Sequence, residues 1–160
     1  MTKKLITLLQ EQINKELYSA YAYYAVGEFY RQKGLNGFHT YFHNHANEEM
    51  THAEKFSEFL QDNDIDVVFK DIEALNKKFK DIREPLAFFV DHEKQVTASI
   101  DTLYKAARSE DDLAAMNFLD DFVTEQREEE KISSDLLQKY DLFAKDNSLG
   151  LYQLDKELNN

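Results

Sequence analysis

The sequence predicts an all-α protein: four long helices in an up-down-down-up bundle, with one long crossover and a short fifth helix at the C-terminus. Three observations predict it. Four long stretches carry apolar residues in alternating steps of four and three, the signature of a helix that buries one stripe. The 160 residues include only four glycines and one proline, too few breakers for an all-β chain with its many tight turns. One stretch of about eighteen residues, between the second and third periodic segments, is long enough to cross a bundle from end to end.

The first helix is expected over about residues 3–33, with a seam of Leu9, Ile13, Glu16, Ala20, Tyr23, Gly27 and Tyr30; Gly34, Asn36 and Gly37 end it. The second is expected over about 37–62, with a seam of Phe38, Phe42, His45, Glu49, His52, Phe56 and Phe59, and Asn63 and Asp64 mark its end. The third, about 82–109, has Leu86, Phe89, Glu93, Val96, Ile100, Leu103 and Ala107 on its seam, and Pro85 is tolerated in its first turn. The fourth, about 112–141, lines up Ala115, Leu119, Phe122, Gln126, Glu129, Ser133, Leu136 and Tyr140, with Asp111 and Asp112 at the positive end of its dipole. A short helix over about 148–158 follows, with Asn147 or Ser148 as its cap. The links between helices one and two, and three and four, are short, so these pairs are antiparallel hairpins. The link over about 64–81 is long. A helix of about 28 residues is ~42 Å long, and about 18 extended residues span up to ~60 Å. Helix three therefore starts at the far end. The bundle occupies about 3–141 of a single domain covering 1–160.

Composition narrows the chemistry. Cysteine is absent, which removes disulfides, thiolate metal sites and cysteine nucleophiles. A formal net charge of −12 repels phosphate backbones and attracts cations, which argues against nucleic acid as a partner. The first ten residues hold Lys3 and Lys4 with no sustained apolar run behind them, so neither a signal peptide nor a membrane span is expected, and the cytoplasm is the default location.

The seams are interrupted by acids. Glu16, Glu49, Glu93 and Glu129 each take a core-facing position, one per helix, and each lies near the middle of its helix. They therefore fall in one layer whichever way each helix points. An unpaired buried carboxylate is costly. Four in one layer call for a shared cation. His52 follows Glu49 by three residues, on the same face, which is the Glu-x-x-His spacing of di-iron carboxylate bundles. Alone, that spacing is common and says little, and acidic runs such as 128–130 are ordinarily solvated. The joint pattern of register and height carries the argument. Oxygen-rich ligands with one imidazole suit iron or manganese, whereas structural zinc more often takes cysteine or several histidines.

At these residues the chain resembles the bacterial non-haem ferritins, within the ferritin-like di-iron family. The resemblance lies in Asn14-Lys15-Glu16-Leu17-Tyr18-Ser19, Glu48-Glu49-Met50-Thr51-His52, His92-Glu93, the run from Glu125 to Lys131, and Gly150-Leu151-Tyr152 with Asp155-Lys156-Glu157-Leu158. It covers nearly the whole chain. It implies a ferroxidase centre holding two irons per subunit: Glu16, Glu49 and His52 on the first, Glu49 bridging, Glu93 and Glu129 on the second, Gln126 close by and Tyr23 near the site. A looser third site is implied at Glu48, Glu125, Glu128 and Glu129. It further implies iron storage and detoxification, oxidation of Fe(II) by dioxygen or peroxide, and a homo-oligomeric cage of 24 subunits. Bacterioferritins carry Glu-x-x-His where this chain has Gln126-x-x-Glu129, and Met50 reads as a space-filling helix residue, so no haem is expected. Off-seam aromatics such as Tyr21, Tyr24 and Phe29 suit subunit contacts. His45 is expected in the core or behind the ligands, and His39, His43 and His92 at the surface or an interface. Two other readings compete: a di-iron enzyme acting on peroxide or an organic substrate without storing iron, and a purely structural bundle.

Overall fold

A computed structural model describes residues 1–160 and contains helices only. Helices α1 (Lys3–Gln32), α2 (Asn36–Asp62), α3 (Glu84–Ser109) and α4 (Leu113–Lys139) form the bundle, and α5 (Ser148–Leu158) follows a π-helical turn at Tyr140–Ala144. None of the helices is long and apolar enough to cross a membrane.

The direction of each helix follows from what its two halves bury. One apolar cluster holds Leu5, Leu9 and Ile13 from the start of α1, Ala53, Phe56 and Leu60 from the end of α2, Val96 to Ala107 from the end of α3, and Ala115, Leu119 and Phe122 from the start of α4. The second holds Tyr23, Val26 and Tyr30 from the end of α1, Phe38, Phe42 and Ala46 from the start of α2, Leu86 and Phe89 from the start of α3, Leu136 from the far end of α4 and Tyr140 from the π turn beyond it. The order is thus up-down-down-up. The crossover at 63–83 runs the length of the molecule: Ile65 and Val67 pack on the first cluster, Phe79 and Ile82 on the second. The Gln10 side chain fastens it by donating to the Asp66 carbonyl at 2.6 Å and accepting from the Val68 N–H at 2.9 Å.

Three helices end in the same way. After α1, the Leu35 N–H reaches back to the Tyr30 carbonyl and Gly34 N–H to Arg31, with Gly34 at φ 77°. The α2 and α3 ends repeat this with Asp64 at φ 57° and Asp111 at φ 50°, where an aspartate adopts the left-handed conformation that glycine takes more readily. The Asp112 carboxylate caps α4 and the Asn147 side chain caps α5. Helix α5 lies against the start of α2 so closely that a Cβ on Gly37 would sit 1.6 Å from the Asp155 carbonyl oxygen. The Asp155 side chain also accepts from the Phe38 N–H at 3.0 Å.

Every seam position named above is buried except Phe59. There Leu60 takes the inner place, and half-buried Phe59 stacks on Phe118 at 4.2 Å. Helix α4 also stops short of Asp141, because the chain widens into the π turn closed by the Lys145 N–H on Tyr140. Tyr21 and Tyr24 are exposed, whereas Phe29 is half-buried and packs edge-on against Phe79, helping to seat the crossover within the subunit.

Candidate metal centre

Between the two apolar clusters lies a layer of buried polar residues: Gln12, Glu16, Ser19, His45, Glu49, His52, His92, Glu93, Gln126, Glu129 and Ser133. The helices place the four acids, His45, His52 and Gln126 there because each seam continues through the layer with the same step, which turns these side chains toward the interior. The four acids expected at one height all belong to it.

Glu16, Glu49 and His52 converge: one ligand atom from each lies within 4.8 Å of the other two. Glu16 Oε1 accepts from Gln12 Nε2 at 2.6 Å, while its Oε2 is buried without a hydrogen-bond partner. His52 Nδ1 lies 3.1 Å from Glu49 Oε2, and its Nε2 lies 3.0 Å from Glu125 Oε1. Glu125 on α4 is thus placed to take the outer ring proton and leave Nδ1 facing Glu16 and Glu49, the usual support for a metal-ligating histidine.

Glu93 sits on the other side of the layer. Its Oε1 accepts from the Tyr23 hydroxyl and its Oε2 from Gln126 Nε2 at 3.1 Å. Tyr23 is fully buried, edge-on to Phe89 and His92. Gln126 also reaches the Thr97 hydroxyl at 3.3 Å. Glu129 belongs to a second convergent group with His45 and Glu48; His45 Nδ1 lies 3.6 Å from Glu129 Oε2 and 3.4 Å from Glu48 Oε2. Glu129 Oε2 has no hydrogen-bond partner. Of the remaining acids considered for a looser site, Glu48 is exposed beside His45, Glu125 is engaged with His52, and Glu128 stands exposed outside both groups.

His92 departs from its expected place, and His45 meets its own in the core beside the acids. His92 is not at the surface: its Nε2 lies 2.8 Å from the Ser19 hydroxyl, and its ring stacks on Phe88 and meets Tyr23 edge-on. The signal was present, since His92 continues the steps of three and four from Phe89 to Val96. His45 faces Glu129 across the helix pair, which spacing along one helix cannot reveal.

The electrostatics are those of a crowded anionic pocket held together by protons. Burial pushes Glu49 well above the ordinary carboxyl range, with Glu16 adding to the effect. Burial likewise raises Glu93 against the hydrogen bonds from Tyr23 and Gln126. Glu129 is raised to about 8 by burial first, then by Glu93 and Glu48. Burial alone would lower His52, but its bonds to Glu125 and Glu49 and the nearby Glu16 carboxylate prevail and push it up to about 12. His45 and His92, by contrast, are brought down to about 4 by burial. The layer thus holds an imidazolium and protonated carboxyls in the places where cations would neutralise the same charge.

Residues 6–143 match the ferritin-like domain family. The chain belongs to the ferritin family. Among its relatives, this ferritin is 34% identical to a probable bacterial non-heme ferritin-like protein of Haemophilus influenzae, over 100% of the chain and 96% of the relative. It is 31% identical to the bacterial non-heme ferritin of Campylobacter jejuni, over 100% and 95%. Its backbone follows the open pore ferritin of Archaeoglobus fulgidus with a TM-score of 0.95 at 33% identity, covering 99% of this chain and 98% of the other. A humanized archaeal ferritin aligns with a TM-score of 0.96 at the same identity.

Proposed function

We propose that this ferritin stores and detoxifies iron by oxidising Fe(II) at the polar layer and depositing the ferric product inside a homo-oligomeric cage. The observation that carries the reading is the convergence of Glu16, Glu49 and His52, with a carboxylate oxygen of Glu16 left buried and unpartnered. A buried carboxyl oxygen without a hydrogen-bond partner is expensive, and a divalent cation relieves it. Iron is here the substrate.

In this reading Glu16, Glu49 and His52 hold the first ferrous ion and Glu49 faces both. Glu93 and Glu129 take the second, with Gln126 beside it. Each iron gives up one electron, and dioxygen or peroxide accepts the pair. Glu125 orients His52 through the outer ring nitrogen. Tyr23, bonded to Glu93, is placed to donate an electron and limit radical release. Gln126 is neutral, so the second position is less anionic than a glutamate would make it, which favours passage of Fe(III) to the mineral. Glu48, Glu125, Glu128 and Glu129 are the proposed looser third iron site at the edge of the centre, with exposed Glu128 lying outside both convergent groups. Family membership and the neighbouring ferritin structures support self-assembly, with 24 subunits as the proposed count.

Stepwise aerobic addition of Fe(II) to metal-free protein, followed by size-exclusion chromatography with iron detection, tests the reading. Many irons per chain co-eluting with a large assembly are expected. Uptake that stops near two irons per chain on a small species would instead make this a di-iron enzyme without storage. Stopped-flow oxidation should lose its fast phase in Glu49→Ala, and an unchanged fast phase would remove Glu49 from the centre.

A further inference from the structure

Away from the polar layer, the α1–α2 hairpin holds a second set of metal-ligating groups. Glu28 near the end of α1 faces His39 and His43, one turn apart at the start of α2, and one ligand atom from each lies within 4.8 Å of the other two. Glu28 Oε1 is 3.3 Å from His43 Nε2 and 3.7 Å from His39 Nδ1. The position is about 18 Å along α1 from Glu16, at ~1.5 Å per residue, so the two centres share no ligand.

Several features shape this corner. His43 Nε2 is buried and has no hydrogen-bond partner. Its ring lies over Gly27, where a Cβ would come within 2.8 Å of His43 Cδ2, so the missing side chain leaves room for the imidazole. Tyr24 stacks on that ring at 4.5 Å. The His39 Nδ1–H donates to the Gly27 carbonyl at 3.1 Å, which fixes the ring and leaves Nε2 as the nitrogen free to ligate, with the two imidazoles 4.0 Å apart centre to centre. The one competing cation, Arg31, is largely exposed and reaches Glu28 only at 3.9 Å. Two rings are thus steered toward one carboxylate by backbone, stacking and a glycine gap, rather than meeting it as free surface side chains.

We propose that Glu28, His39 and His43 form a divalent transition-metal site, of the zinc class, that ties α1 to α2 beside their shared turn. Two imidazoles and a carboxylate make a borderline donor set with a coordination position open to water. Such a set binds Zn(II) more tightly than Fe(II). It differs from the polar layer, whose oxygen-rich donors suit the harder ion.

The test uses the full-length assembled protein. Zinc is counted per chain after equilibration with Zn(II) and gel filtration, and crystals from the same sample are measured on both sides of the zinc absorption edge. Wild type should show an anomalous peak between Glu28, His39 and His43. His39→Gln combined with His43→Gln should lose that peak and about one zinc per chain. Glu28→Gln, a substitution at a half-exposed position, should weaken zinc binding there on the order of tenfold or more while leaving the helices intact by circular dichroism. Loading with an excess of Fe(II) under anaerobic conditions should leave zinc in place. An unoccupied corner at saturating zinc, a zinc count unchanged by the double substitution, or iron displacing the zinc would each overturn the assignment.

Discussion

Glu129→Gln in the metal-free protein isolates the cost of the buried acids. Glu129 titrates near 8 rather than at its ordinary 4.5, chiefly because burial disfavours the carboxylate. Its folded pKa is thus raised above the unfolded one. Between those values the folded chain holds a proton that the unfolded chain has lost, so stability falls as pH rises through the window from about 4.5 to about 8. At ~1.4 kcal/mol per pH unit the loss reaches about 3 kcal/mol at pH 7 and levels off near 4–5 kcal/mol above pH 8. Glutamine has the shape of the protonated acid and does not titrate. With chelator present, the variant should match wild type near pH 4 and exceed it progressively up to pH 8. Chemical unfolding of the two proteins in the same assembly state, at a series of pH values, measures the difference. Parallel profiles across the whole range would refute the claim that this carboxyl is buried as the neutral acid. With a divalent metal added, wild type should regain the lead, because the metal binds the folded carboxylate and the glutamine cannot replace it.

Three further outcomes are expected. Anaerobic binding of Fe(II) at neutral pH should release protons, since His52, held up to about 12 by its carboxylate partners, must shed one to become a ligand; His52→Ala should lower the release measured in weakly buffered solution. Gly37→Ala forces a Cβ into the Asp155 carbonyl and should displace α5, costing about 1–3 kcal/mol and exposing the α5 amides to hydrogen exchange while those of α3 remain protected. Asp111→Gly relieves a left-handed aspartate at the end of α3 and should raise stability by about 1 kcal/mol in a denaturant titration.

The bundle was legible because period and height are both properties of a single helix. The steps of four and three placed Glu16, Glu49, Glu93 and Glu129 on buried faces, and the distance of each from its helix midpoint placed them together. The crossover could be anticipated from length alone. What spacing could not supply was the relation between helices. Nothing along α2 says that His45 faces Glu129, and nothing along α4 says that Glu125 meets the outer nitrogen of His52. Phe59 was misplaced by one position because Leu60 fits the same step almost as well. The turns at Asp64 and Asp111 look like any polar stop in sequence, and only the backbone shows that they reproduce the glycine turn after α1.

The separation of the core into two apolar clusters with the acids between them resembles a bridge deck carried on an abutment at each end. The span itself is the least self-supporting section, full of groups that repel one another. Its position is set by hydrocarbon packing on either side, which does not depend on what the span carries. A change of charge within the span therefore leaves the contacts inside either abutment as they are, since those contacts join apolar side chains.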